Sequence, residues 1–551
     1  MIDSINITVN NKNYKISKGM TLEEISKDFQ KDFRYPILLA KVNNQMKELN
    51  EVVNEDSTIE FFDLTVKQGN RAHIGCLTYI LLYAIKKLFG ENSNIVVQHS
   101  LDKGIYIKTS FRLTEARLDK IKDTMNSIIA ADMPITNVTV DRMEAIKYFE
   151  SVNDSAKVGI MNYSTNKYVN LYRLGNYYNY FYTLMPTSTK KAKDFDLTYI
   201  GTEGFVLRFP TIYINDRIKE YTHHPNMFEV FQECRDWAEI IKVGNSVELN
   251  NVVAQGKIND LIRIDETLQS NRLLELAKTI NSKKDKVKIV LIAGPSSSGK
   301  TTTSRKLCMY LHSFGINPKV ISMDDYFKER TETPKDENGN HDYECLEAMD
   351  MKLFDKQIEE ILSGKEVTIP TFNFSLGKKE YKNKLKLGEK ELVLIEGIHA
   401  LDDKVLTNIP RSKKFKIYIS ALTELNMDDH NRVSTTDNRL LRRIIRDNRT
   451  RNYSVEQTLK SWSNVRAGEE KYIFPFQDEA DFTFNTALIY EIGVLKTYVE
   501  PLLYSVSRDS EFYEDAQRLS NFLKLFLPIP ADSMPQDSIL REFIGGSCFH
   551  E

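Results

Sequence analysis

Cysteine is scarce in this 551-residue chain: Cys76, Cys234, Cys308, Cys345 and Cys548 stand far apart, with no CxxC spacing among them. An odd, sparse set of this kind excludes a disulfide framework and reads as reduced thiols. His223, His224 and Cys234 lie near one another in sequence, yet no second half of a metal site accompanies them. An excess of charge of one sign is missing too. The 75 Lys and Arg against 77 Asp and Glu leave a net charge of −2, which gives no polyelectrolyte signature for nucleic acid or an anionic membrane. No apolar run approaches the ~18–20 residues of a membrane span. The opening Met1-Ile2-Asp3-Ser4 lacks a charged region followed by an apolar one, so a cytoplasmic protein with no membrane partner is expected. No repeat or low-complexity tract interrupts the chain. The length implies about three or four domains.

What is present is sharper. Gly294-Pro295-Ser296-Ser297-Ser298-Gly299-Lys300-Thr301 fills the pattern G-x-x-x-x-G-K-[ST]. It follows a β-branched apolar run, Val287 to Ala293, that reads as a buried strand, and Thr302 and the residues after it open a helix. In that order the glycines let backbone N–H groups wrap phosphates, and Lys300 neutralises β/γ oxygens. Thr301 can hold Mg²⁺, and the helix start adds its positive dipole end. The pattern predicts a nucleoside triphosphate bound across residues 294–302.

Downstream, apolar strands alternate with helices: Lys319 to Ser322, Leu392 to Ile395, Lys414 to Ser420 and Asp481 to Asn485. Such alternation predicts a mainly parallel sheet covered on both faces, with reacting groups at the carboxyl ends of its strands. Acids fall there, in Ser322-Met323-Asp324-Asp325-Tyr326-Phe327 and in Glu396-Gly397. Phosphoryl transfer to a hydroxyl needs a proton acceptor and oxygen ligands for a metal. Asp324 is therefore expected to be the base, and Glu396, with Thr301, to hold the metal. In the run from Arg439 to Arg451, Arg442, Arg446 and Arg449 recur at helical spacing and are expected to close over polyphosphate as a cationic lid. A solvated basic helix or an RNA-binding face is the competing reading.

These motifs, in this order, resemble the uridine kinase and phosphoribulokinase family. The resemblance runs from about Val287 to Asn485. It takes in the phosphate loop, the Ser322 to Phe327 segment, Asp342 to Asp350, Pro370-Thr371-Phe372-Asn373-Phe374, Glu396-Gly397 and the arginine helix. It implies ATP and Mg²⁺ as cofactors and a ribose-like hydroxyl as acceptor. Asp324 matches the family's catalytic aspartate. Glu344, or alternatively Asp342, would contact the sugar, and Phe372 would lie on the substrate side. The segment from Phe372 to Lys379 lacks the His that follows Tyr-Asp-Phe in pyrimidine kinases, and Asn452-Tyr453 stands where relatives have Gly-Arg.

The N-terminal half carries other patterns. Short alternating segments, an Asn10-Asn11 turn and a helix capped by Thr21 with Glu24 resemble the TGS domain of threonyl-tRNA synthetases over residues 1–64. Residues 65–225 resemble the second additional domain of threonyl- and alanyl-tRNA synthetases. The positions matching its zinc ligands are Gly75, Tyr79, Tyr180 and Leu184, so no zinc is expected. Residues 226–285 read as a helical linker, 286–490 as an α/β phosphate-loop kinase and 491–551 as a helical extension. The expected protein is a multidomain ATP-dependent kinase of a small-molecule acceptor, most simply a nucleoside. An NTP-dependent RNA- or tRNA-associated regulator, or a kinase of a non-nucleoside alcohol, is the alternative. RNA or tRNA contact through the N-terminal domains and homo-oligomer formation stay open.

Overall fold

The computed structural model describes residues 4–91, 93–212, 217–335, 339, 341–373, 376–388, 390–423 and 425–549. Met1, Ile2 and Asp3, and Phe374 and Ser375 of the motif after Pro370, lie outside them.

The chain begins with a five-stranded sheet in the order Lys12–Ser17, Ser4–Val9, Ser57–Phe62, Leu39–Val42, Gln45–Glu48. Asn10 and Asn11 both take positive φ, 50° and 59°, as a two-residue hairpin turn requires. Asn43 and Asn44 repeat the device at 47° and 63° and produce a strand, Gln45–Glu48, that the sequence reading did not anticipate. The helix Leu22–Phe29 starts on a full Thr21–Glu24 capping box.

The next region wraps two small sheets around the helix Lys67–Phe89. This helix is 23 residues long. It is the one helix among the described residues long and apolar enough, by length and composition, to cross a membrane, with a mean hydropathy of 1.3. That corrects the expectation that nothing approaches such a length. The most apolar window of the helix is 67% buried inside the fold, because Leu77, Tyr79, Ile80, Leu81 and Ile85 pack against the strands beside them.

The C-terminal half is built on five parallel strands in the order Asn317–Ser322, Glu391–Glu396, Ile289–Ala293, Lys414–Ser420, Phe482–Asn485. Along the central strand, Ile289, Leu291 and Ala293 face one apolar cluster while Val290 and Ile292 face another, as the pleat demands. The supposed linker supplies cover to both faces. Met227, Val230, Phe231 and Cys234 of helix Pro225–Ile241 join the first cluster, and Leu273, Leu276, Ala277 and Ile280 of helix Ile258–Ser282 join the second. Each of the larger ones contributes about 1.5–3 kcal/mol on burial, so these helices belong to the sheet's core rather than to a tether. A third cluster joins helix Thr435–Arg451 to Glu491–Leu503 and Tyr513–Leu523.

The loop before Thr435 reaches the N-terminal half. Lys157, with no exposed surface, places its ammonium 2.7 Å from His430 Nδ1, 3.0 Å from Asp154 Oδ2 and 3.5 Å from Asp428 Oδ1. Asn426 Nδ2 donates to the Val97 carbonyl at 2.9 Å.

Candidate functional site

The phosphate loop leaves the central strand at its carboxyl end. Gly294 has no room for a side chain, since a Cβ there would stand 2.0 Å from the Ile419 carbonyl oxygen on the neighbouring strand. Ser297 and Gly299 take positive φ, 59° and 85°, a conformation that gathers backbone donors into a concavity. Lys300 Nζ donates to the Gly294 and Pro295 carbonyls at 2.9 and 3.2 Å. The Ser297 and Ser298 hydroxyls are buried without a hydrogen-bond partner, and Thr301 is exposed at the helix start. Unspent hydroxyls beside an ammonium and a helix N-terminus fit the acceptor oxygens of a polyphosphate.

Two helices hold the loop from behind. Ser296 N donates to Glu469 Oε1 at 3.0 Å, Arg439 Nε donates to Ser296 O at 2.9 Å and Arg443 Nη1 donates to Ser296 Oγ at 2.7 Å. Glu469, on helix Val455–Tyr472, also bonds to Arg439 and, at 2.6 Å, to Arg466. Burial alone would raise its carboxyl, but Arg439 and Arg466 hold it below the usual range.

The acids meet on the same edge. Asp324 lies in the short turn Met323–Tyr326 directly after one strand, and Glu396 ends the strand beside it, opposite Ser322. The Ser322 hydroxyl donates to Glu396 Oε1 at 2.9 Å. Burial, and then the Asp324 charge, push the Glu396 carboxyl up to about 7 against the pull of Lys300. Burial raises Asp324 as well, opposed by Lys300, Arg451 and Arg446. Glu344 comes in from the loop before helix Met351–Leu362. Gly468 admits it, for a Cβ there would meet Glu344 Cβ at 2.6 Å. Burial pushes its carboxyl up to about 7, with Arg443 opposing and Glu469 and Asp324 adding to the rise. Thus Lys300, Asp324, Glu344 and Glu396 share one electrostatic neighbourhood.

Other expected residues sit elsewhere. Asp342 Oδ1 accepts from Glu344 N at 3.0 Å, so it shapes the turn that presents Glu344. Phe372 is buried edge-on against Phe327, with ring centroids 5.8 Å apart, and its N–H donates to Asp325 Oδ1 at 3.0 Å. It belongs to the apolar cluster that also holds Met323 and Tyr326. The expected lid of Arg442, Arg446 and Arg449 is not one face. Arg442 is fully buried, paired with Glu491 and donating to the Thr486 carbonyl at 2.9 Å, because a buried cation must be matched where it lies. Arg449 donates to the Glu542 and Phe543 carbonyls at 2.9 and 3.2 Å. Arg446 bonds Asp447 at 2.8 Å and acts electrostatically on Asp324. Arg443 and Arg451 were not singled out by the spacing argument, and Glu469 carries no motif that would have revealed it.

The four positions expected to replace zinc ligands are packed into the fold. The Tyr79 hydroxyl lies 2.6 Å from the Tyr172 carbonyl and 2.8 Å from that of Tyr177, and its ring meets Phe181 edge-on at 5.3 Å. A side chain at Gly75 would meet Thr183 Oγ1 at 3.0 Å. Leu184 packs on a small apolar cluster around Leu39 and Leu64, and Tyr180 on another around Phe149 and Leu171. Glu48 reaches in from the first sheet to accept from the Tyr172 hydroxyl and, at 3.0 Å, from Met185 N, and burial raises its carboxyl. His73, with no exposed surface, is pushed down to about 4 by burial, and burial pushes the Cys76 thiol up.

Comparison with known proteins agrees with this division. Residues 289–490 match the model of the phosphoribulokinase/uridine kinase family. The uridine kinase of Staphylococcus epidermidis is 27% identical over 194 residues, covering 35% of this chain and 84% of the kinase. The N-terminal region matches the threonine–tRNA ligase of Clostridium novyi, 28% identical over 190 residues and 34% of this chain. This chain spans only 30% of that ligase's length. A solved structure described as a possible uridine kinase from Bacillus stearothermophilus aligns with 39% of this chain and 98% of its own, at 21% identity and a TM-score of 0.27.

Proposed function

We propose that the protein is a cytoplasmic Mg²⁺- and ATP-dependent kinase that transfers the γ-phosphoryl group to a hydroxyl of a nucleoside. The observation that carries this reading is the meeting of Asp324, Glu344 and Glu396 with Lys300 beside a loop whose hydroxyls are unspent. Backbone N–H groups towards the end of the loop, up to Thr302, and the Lys300 ammonium bind and orient the polyphosphate. Asp324 accepts the proton of the attacking hydroxyl, and Glu344 holds the sugar by its hydroxyls. Arg446 and Arg451 bring positive charge to the side of Asp324. A bound magnesium ion would neutralise charge on the transferred group, and the Thr301 hydroxyl and Glu396 are the groups suited to hold it. The raised Glu396 carboxyl fits that role, since two acids in one neighbourhood repel until a cation joins them.

Incubating the protein with Mg-ATP and a panel of nucleosides tests this. Stoichiometric ADP with a phosphorylated nucleoside is expected. A product formed only from a non-nucleoside alcohol would keep the kinase and change its acceptor. The similarity of the N-terminal region to a threonine–tRNA ligase supports a second reading, an NTP-driven regulator docked on RNA. Slow hydrolysis stimulated by RNA, with no phosphorylated small molecule, would favour it.

A further inference from the structure

The C-terminal segment, beyond the family-matched region, folds back over the phosphate loop. Ile539 lies against Gly299, so close that a Cβ on that glycine would meet its Cγ2 at 2.5 Å. Asp537 Oδ2 pairs with Lys306 Nζ at 3.2 Å on the helix that follows the loop. Glu542 Oε2 then accepts a hydrogen bond from Thr302 N at 3.0 Å. The first bond inside that helix runs from Thr303 N to the Gly299 carbonyl at 3.0 Å. The Thr302 N–H therefore precedes the helical ladder and is one of the donors that a phosphate loop offers its ligand. The segment is firmly seated. Arg449 grips its Glu542 and Phe543 carbonyls, and Phe543 is fully buried, 5.0 Å from the Arg442 guanidinium. The Glu542 charge also reaches the acids across the site, adding to the rise of the Glu396 carboxyl.

We propose that Glu542 is a built-in phosphate surrogate. Its carboxylate occupies a donor of the phosphate cradle and must leave Thr302 N–H before a nucleotide seats fully, so the C-terminal segment sets nucleotide affinity. The proposal rests on the nucleotide-binding reading above. A single N–H cannot serve two anions, and a carboxylate held beside an incoming phosphate repels it through a partly shielded medium. Tethering gives the carboxylate a high effective concentration that free nucleotide has to overcome. An ordinary tertiary helix cap would behave otherwise: a neutral acceptor oxygen would serve it nearly as well, and nucleotide affinity would not depend on the charge.

The test uses the full chain as wild type, Glu542→Gln and Glu542→Asp, titrated with ADP and with adenosine by calorimetry, alongside denaturation curves. Gln keeps an acceptor oxygen for Thr302 N–H and removes the charge, whereas Asp keeps the charge and shortens its reach. Glu542→Gln is expected to bind ADP about tenfold tighter, equivalent to about 1.4 kcal/mol, with adenosine affinity unchanged because adenosine has no phosphate. Glu542→Asp should fall between Gln and wild type, and it carries the same comparison if the Gln variant does not fold. Unchanged or weaker ADP binding in the folded variants overturns the surrogate and leaves the kinase reading in place. An equal gain for adenosine overturns it as well, since the effect would then be general opening of the site. Absence of ADP binding in all three proteins overturns the nucleotide reading and the surrogate with it.

Discussion

Around the phosphate loop, polar groups are left unspent or set against one another. The Ser297 and Ser298 hydroxyls have no partner, and Glu344 and Glu396 are raised by burial and by neighbouring acids. Around Tyr79 and Glu48 in the N-terminal half, by contrast, the hydroxyl and the carboxylate are spent on the fold itself. Tyr79 serves the Tyr172 and Tyr177 carbonyls, and Glu48 serves Tyr172 and Met185. The two regions thus differ in how their polar groups are matched. Groups that await a ligand cost stability while they wait, whereas groups that have been satisfied internally add to it.

The largest effect should come from Asp324→Asn. If Asp324 accepts the acceptor's proton, kcat should fall by about 10²–10⁴ while ADP affinity changes little. A variant with normal kcat would break the comparison at its strongest point, since the acids would then have no task.

Next in size is Arg442→Ala. Because this guanidinium is fully buried on Glu491, its loss should lower unfolding free energy by about 3–5 kcal/mol. Urea denaturation measures this. Full stability with loss of turnover would return Arg442 to the phosphate side, where the helical spacing had placed it.

Tyr79→Phe sharpens the other half of the contrast. Removing the hydroxyl takes away the one proton shared between the Tyr172 and Tyr177 carbonyls, and the expected loss is about 1–3 kcal/mol in the same measurement, with no change in kinetics. A stable variant would mean that water or ligand is held there instead of a closed bond.

The smallest effect is a pH slope. The Glu344 carboxyl sits at about 7 against an ordinary 4.5, so the folded chain holds its proton where the unfolded chain has lost it. Relative stability is complete below the ordinary value and falls as pH rises towards 7. Glu344→Gln removes its share of that slope, and Tm recorded from about pH 5 to pH 8 should decline less steeply than in wild type. An unchanged slope would assign the whole effect to other groups, Glu396 first.

Much of the candidate site was readable from residue order. Gly294 to Thr301 after an apolar strand, Asp324 after a second and Glu396 ending a third sit where a parallel sheet puts them, because the strand ends of such a sheet meet on one edge. The arginine helix was readable as a helix, but its faces were not, since spacing gives angular position without saying what stands opposite. Arg442 met Glu491 from a helix nearly fifty residues on, and Arg449 met carbonyls at 542 and 543. The expected linker failed for a related reason. Amphipathic stripes in Pro225–Ile241 and Ile258–Ser282 show that a face is buried, yet not that the two helices cover opposite sides of one sheet.

Residue order alone carried what depends on neighbours along the chain: the phosphate loop and the strands that feed it. Only the tertiary structure decided which charges cancel. Hydrogen bonds and ion pairs act over a few ångströms, and the carboxylates that meet Arg442, Arg439 and Thr302 N–H lie 49, 30 and 240 residues away, separations over which no local pattern carries information.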